Sequence, residues 1–287
     1  MVRLASGFIT ESDLRSLNED GAIVVRNVFG RDWVERTRLA SAAAVERQLA
    51  GMEAAGRQRP TEPAFHNVLY MHLDDPEFRA IGLQSPAPLL ARDLMQTDKV
   101  ILYADHLLVK EPGARTRTPW HQDLPYWPVR GRHITSLWIA LDPITRDSGA
   151  LEYVRGSHRW GKMYQPQNFD GSGGYGDFEP LPDIEGERER YGFLQWDLEP
   201  GDVIVHDAGV LHGAGANARR DRSRRALALR YVGDDARWHA DGARNVPSGV
   251  RVADLRDGDP LDKDGAHMVA SLPPRSSPPE GARCPDP

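Results

Sequence analysis

From residue 100 onward the chain is a succession of short β-branched and aromatic runs, most of them closed by glycine or proline, and this constrains the fold more than any other feature. The runs fall at 100–103, 106–110, 134–141, 150–154, 193–196, 203–206 and 226–232. Many short strands without intervening helices predict a β-sandwich or a jelly roll. Ahead of them, Thr10 followed by Glu11 and Asp13 marks a capped helix over 10–19, and the β-branched run at 21–29 reads as a strand. Residues 32–57 and 76–95 carry helical spacing, the second broken by Pro86 and Pro88, and both should pack on one side of a sheet.

The 287 residues permit one large domain or two small ones, and we expect a single domain over 1–271. The remainder, 272–287, is a Pro-rich tail with almost nothing to bury and is expected to be disordered. Residues 161–192 form a polar insertion containing Gly171-Ser-Gly-Gly-Tyr-Gly176, long enough for a binding loop or lid. It lacks the Gly-Lys-Ser/Thr ending of a phosphate loop, so nucleotide binding is not indicated. A net charge of -6 with dispersed Lys and Arg argues against a nucleic-acid partner. No stretch approaches the roughly 18 apolar residues of a membrane span, and the first ten residues do not read as a signal peptide, so no membrane partner and a cytoplasmic location are expected. Oligomeric state is not readable. The single cysteine, Cys284, excludes an intrachain disulfide and a cysteine-rich metal site, so a metal would have to be held by His, Asp or Glu.

Such a set is present. His121-Gln-Asp123 follows a β-like segment, and in an extended chain residues i and i+2 share a face, which would aim an imidazole and a carboxylate at one ion. A second histidine, His212, follows the turn-strand-turn of 201–211. Two histidines and one carboxylate on one face of a metal leave the other positions open, as in non-haem iron(II) oxygenases. A lone His-X-Asp is common by chance. The later segment Arg224-Arg-Ala-Leu-Ala-Leu-Arg-Tyr231 adds an arginine able to clamp the far carboxylate of a dicarboxylic acid.

With these motifs on view, the chain resembles the phytanoyl-CoA dioxygenase family of iron(II)- and 2-oxoglutarate-dependent oxygenases. The resemblance runs from Gly21 to about Tyr231. It rests on His121-Gln-Asp123, the 136–142 and 149–158 segments, Pro200-Gly-Asp-Val203 and His212-Gly213. It implies a double-stranded β-helix, a mainly β jelly-roll barrel of the cupin type with flanking helices. It further implies His121, Asp123 and His212 as catalytic metal ligands, Trp138 beside the 2-oxoglutarate pocket, and Fe(II), 2-oxoglutarate and O₂ as cofactor and co-substrates. The expected reaction hydroxylates a small molecule and releases succinate and CO₂; related halogenases lack the carboxylate that Asp123 provides. The family's 2-oxoglutarate arginine usually lies eleven residues past the second metal histidine, where this chain has Ser223. One extra residue in 218–223 shifts the match to Arg224, with Arg225 as the alternative if the strand slips by one.

His206 reads as a core or supporting histidine. Lys110 either reaches a carboxylate inside the barrel or is solvated at a strand end. Trp120, Tyr126 and Trp127 flank the triad as substrate wall or simple packing. His66, His72, His158 and His239 read as structural or exposed, and Asp142 and Asp147 as turn residues. The rival readings are a zinc hydrolase using the same three ligands and a non-catalytic jelly-roll module that binds or senses a metal.

Overall fold

A computed structural model describes residues 4–166, 178–239, 255–265 and 267–272. The Gly-rich stretch 171–176 and Cys284 lie outside the described residues. Thirteen strands are numbered in chain order: β1 (Ala22–Val25), β2 (Phe65–Leu69), β3 (Ile101–Lys110), β4 (Thr118–His121), β5 (Val129–Arg130), β6 (Ile134–Ala140), β7 (Leu151–Val154), β8 (Phe193–Gln195), β9 (Val203–His206), β10 (His212–Ala214), β11 (Arg224–Val232), β12 (Arg237–Trp238) and β13 (Met268–Val269). A large sheet runs β1-β9-β6-β11-β3-β13, with β2 also on β3, and a small sheet runs β4-β10-β7-β8. The architecture is the mainly β jelly roll expected.

Strand alternation assigns the two faces of the large sheet. Leu137, Ile139, Val203, Val205, Leu227 and Leu229 face outward and are buried under the helices. Those helices are α1 (Glu11–Asp20), α2 (Arg31–Ala54), α3 (Pro76–Gln84) and α4 (Ala87–Met95). Each fully buried branched side chain contributes roughly 1.5–3 kcal/mol. Trp138, Ile204, Ala226 and Ala228 alternate with them, facing inward against Leu151 and Tyr153 of the small sheet. The small Ala226 and Ala228 keep the floor of the barrel low, which leaves room for ligands.

Thr10 caps α1 in a reciprocal box with Asp13, as the sequence signals. The strand expected over 21–29 ends at Val25, because Asn27 turns at φ 53 and the Val28 and Phe29 amides bond instead to the Gly201 carbonyl at 3.0 Å. The two strands expected at 100–103 and 106–110 are one ten-residue strand. Asp105 does not break it, because the carboxylate accepts from the His72 backbone amide and meets His72 Nδ1, both at 2.9 Å. β2 was not anticipated from the sequence. Of the insertion at 161–192, residues 161–166 and 178–192 are described, and Ile184 packs against Val154, Tyr164 and Leu211.

Gly201 turns the chain into β9 at φ +97, and a Cβ there would sit 2.2 Å from the Phe29 carbonyl oxygen. Gly201→Ala should therefore destabilise the protein by on the order of 3 kcal/mol, seen as a lower denaturant midpoint in equilibrium unfolding.

Candidate active site

His121 ends β4 and His212 begins the neighbouring β10, directly opposite in register, with ring centroids 4.2 Å apart. Each imidazole turns Nδ1 to a carbonyl two residues back, Pro119 at 2.8 Å and Val210 at 3.0 Å. A donated Nδ1–H fixes the tautomer whose Nε2 lone pair is free for a metal. Burial holds both rings below the ordinary histidine value, which keeps them neutral. The ligand atoms of His121, Asp123 and His212 lie within 4.8 Å of one another, the one such set among the described residues.

Asp123 reaches this point by a route other than strand alternation. It has helical angles, φ -74 and ψ -41, and starts a 3-10 turn over Leu124–Tyr126. The turn is bolted by Gln122, which is 2% exposed: its amide donates to Gly209 O at 2.7 Å and Lys162 O at 3.1 Å and accepts from Tyr164 N at 2.9 Å.

The Asp123 carboxylate stands between two large-sheet side chains, His206 Nε2 at 3.4 Å from Oδ2 and Arg230 Nη2 at 3.5 Å from Oδ1. Burial alone would raise this carboxyl group. The Arg230 guanidinium and the His206 hydrogen bond instead hold it well below the usual carboxylate range. Behind His206, Tyr153 Oη lies 3.1 Å from Nδ1, and burial keeps that phenol protonated, so the hydroxyl donates to Nδ1 and Nε2–H faces Asp123. Behind Arg230, His106 Nδ1 accepts at 3.2 Å while its Nε2 contacts Asn67 Oδ1, a pairing that requires a neutral imidazole. Burial, followed by repulsion from Arg230, lowers His106 well below the ordinary value in agreement. His206, read from the sequence as a core or supporting histidine, is buried and contacts Asp123.

The triad opens on a cavity between the sheets, lined on the large sheet by Ser136, Trp138, Arg224, Ala228 and Arg230. Arg224 is 2% exposed, and its guanidinium lies 5.6 Å over the Trp138 ring. One Nη donates to Leu108 O at 3.2 Å, while Arg224 Nε and Trp138 Nε1 have no hydrogen-bond partner. Lys110 faces Arg224 across β3 and β11, is fully buried, and donates to the Gly215 carbonyl. Desolvation, followed by repulsion from Arg224 and Arg117, lowers Lys110 to about 6, and desolvation lowers Arg224 to about 10. A buried guanidinium without a counter-charge, beside a lysine that burial holds neutral, marks the place where an anion would be received.

Arg225 points the other way. It clamps Asp142 on the outer face at 2.6 and 2.9 Å, so Asp142 is an ion-pair partner as well as a turn residue. Trp120 also leaves the site: it packs on Phe193 at 5.8 Å and donates to Glu185 at 2.9 Å, outside the cavity. Tyr126 meets His121 edge-on at 5.9 Å, and Trp127 lies 5.1 Å from the Arg230 guanidinium. His66 and His72 pair with Glu111 and Asp105, His158 with the Asn18 carbonyl, and His239 with Asp257, all away from the triad. Sequence reasoning missed Ser136, Arg230, His106, Asn67 and Tyr153. The available signal was that Arg230 shares a strand face with Arg224.

Comparison with known proteins agrees with this geometry. The family model described as phytanoyl-CoA dioxygenase (PhyH) matches residues 17–226. The chain belongs to the phytanoyl-CoA dioxygenase family. It is 33% identical over 153 residues to a probable phytanoyl-CoA dioxygenase of Caenorhabditis elegans, covering 51% of this chain and 47% of that protein. The chain thus spans about half the length of that relative. It is 25% identical over 251 residues to the multifunctional dioxygenase prhA of Penicillium brasilianum, covering 81% and 75%. Among solved structures, the epimerase SnoN in complex with Fe³⁺, α-ketoglutarate and nogalamycin RO superposes with TM-score 0.69 at 22% identity, over 90% of this chain and 97% of that one, a likeness of fold. No helix among the described residues is long and apolar enough to cross a membrane.

The two adjacent arginines should respond oppositely to removal. Arg225→Ala removes the bidentate partner of the Asp142 carboxylate, 6% exposed, leaving it the residue 225 amide and Arg38 at 3.7 Å, and should cost about 1–2 kcal/mol in thermal unfolding. Arg224→Met removes a buried unpaired cation, and the ligand-free protein should be at least as stable as the parent.

Proposed function

We propose that this chain hydroxylates a small organic molecule, with His121, Asp123 and His212 holding iron(II) and with Arg224, Trp138 and Lys110 receiving the distal carboxylate of 2-oxoglutarate. One observation carries the reading: a single cavity joins a His-Asp-His set to buried guanidinium and indole donors that have no partner. The donor set fits iron(II) in its mixture of two neutral imidazoles and one carboxylate on one side, leaving the cavity side open. When bound, iron(II) with 2-oxoglutarate and O₂ supplies the oxidising power for insertion of oxygen into a C–H bond, with succinate and CO₂ as co-products.

The protein's own contribution is placement. Carbonyls of Pro119 and Val210 aim two imidazoles, and Gln122 sets the turn that delivers the carboxylate. Arg224 and Lys110 fix the far end of the co-substrate, so its near end is delivered to the open side of the metal. A partial opening remains beside His121, the one triad residue that is not fully buried. The substrate is taken to be a metabolite small enough to enter there. SnoN, whose complex contains nogalamycin RO, supports a biosynthetic tailoring substrate.

A zinc hydrolase on the same ligands fares worse. Among the described residues Asp123 is the one carboxylate lining the cavity, and as a ligand it is not free to act as general base. The unpaired Arg224 would also have no use, and a non-catalytic module would equally leave it unexplained.

Anaerobic addition of Fe(II) and 2-oxoglutarate should produce a visible charge-transfer band. His121→Ala should lose the band, and Arg224→Met should raise the 2-oxoglutarate concentration at half-saturation by about 10–100-fold. Tight Zn²⁺ binding with no such band would turn the assignment toward hydrolysis. Lys110 gives a second test. It sits near 6 in the empty cavity, and an arriving carboxylate favours its charged form. Above pH 6, and below the ordinary lysine value of 10.5, the complex holds a proton that the free protein lacks, so affinity should fall as pH rises through this window. Calorimetry at pH 7.5 in buffers of different ionisation heat should register proton uptake, absent in Lys110→Met.

A further inference from the structure

Cross-strand from one another on the inner face lie Arg230 of β11 and Ser136 of β6, paired in register and both lining the cavity beside Asp123. Arg230 is 7% exposed and Ser136 is fully buried. Arg230 Nε and Ser136 Oγ are both without a hydrogen-bond partner. They stand at a different level of the cavity from Arg224 and Trp138: along β11, Arg224 faces Lys110, while Arg230 comes six residues later and faces Ala104. The cavity therefore carries two separate groups of unsatisfied donors. The 2-oxoglutarate reading uses only the first.

Charge makes the same division. A divalent metal and doubly charged 2-oxoglutarate cancel, and Asp123, 3.5 Å from Arg230, offsets one of the two guanidinium charges lining the cavity. One positive charge remains among the described lining residues, even with Lys110 neutral. A net positive charge in a desolvated site is costly, and an anionic group arriving with a ligand would remove the cost. The guanidinium is already held in place, since His106 accepts from one Nη and is itself oriented through Asn67. The neutral His106 brings no charge of its own.

We propose that the substrate of this oxygenase carries an anionic group, a carboxylate or an oxyanion of similar size, received by Arg230 and Ser136 next to the metal. This rests on the oxygenase reading above and adds the substrate class. Such anchoring would fix the distance between the acid group and the oxidised carbon, so the site of oxidation would lie close to the acid end of the molecule.

The test starts from the anaerobic protein loaded with Fe(II) and 2-oxoglutarate, whose visible band checks the oxygenase reading by itself. Acetate, butyrate and benzoate are then titrated in parallel with acetamide, butyramide and benzamide. The acids should perturb the band at concentrations at least about tenfold lower than the amides. Arg230→Met should abolish that preference and Arg230→Lys should retain it in part. Because Arg230 also touches Asp123, Ser136→Ala serves as a variant that contacts no triad residue; it should weaken the acid response with 2-oxoglutarate saturation unaltered. Equal responses to acids and amides, or no response to any acid in the parent protein, would overturn the proposal. So would a Ser136→Ala variant whose defect lies in 2-oxoglutarate saturation, which would give these donors to the co-substrate.

Discussion

Asp123 ties the two sheets together. It arrives from the small-sheet side, on the turn after β4, yet its oxygens are held by His206 of β9 and Arg230 of β11 on the large sheet. A buried carboxylate is tolerated only when such partners offset its desolvation, and here they extend on both sides, to Tyr153 and to His106 with Asn67. The hydrogen-bond directions are mutually consistent, with Tyr153 donating to His206 and Arg230 donating to His106. That line of groups crosses the barrel from β7 of the small sheet to β2 at the side of the large one. It fixes where a metal could sit relative to every inward-facing side chain.

The same line explains why the cavity is polar only along one track. Leu108 and Ala228 form an apolar floor, while cations and unsatisfied donors hold specific strand positions. A carboxylate or guanidinium placed elsewhere on that floor would lack partners and be penalised by desolvation.

Much of this was legible in the sequence because it depends on local periodicity. The alternation in β11 put Arg224 with the alanines and Arg225 with the leucines, and the sheet places them so. The His-X-Asp and later His were recognisable as residue types, and they converge. The reason given for their convergence was incomplete, because Asp123 is helical rather than extended and depends on Gln122 contacts made with residues 40 and 87 positions away. Strand 101–110 looked divided at Ala104-Asp105, because the carboxylate interrupts the apolar run and its partner His72 lies far away in sequence. Arg230, Ser136, His106 and Asn67 were invisible as a group, since only the pairing of β11 with β6 and β3, and of β3 with β2, brings them near one another.

A strand assigns its side chains by parity, so the basic dipeptide Arg224-Arg225 serves two compartments that exchange occupants if the count changes by one. The connection from β10 to β11, residues 215–223, is closed before the strand starts. Asn217 accomplishes this: its side-chain amide donates to the carbonyls of Lys110, Glu111 and Arg222, at 3.1, 3.0 and 3.0 Å, so both ends of the loop are gathered on one residue. The pairing of β11 with β3 and β6, and not the outline of the loop, decides which of the two arginines enters the cavity.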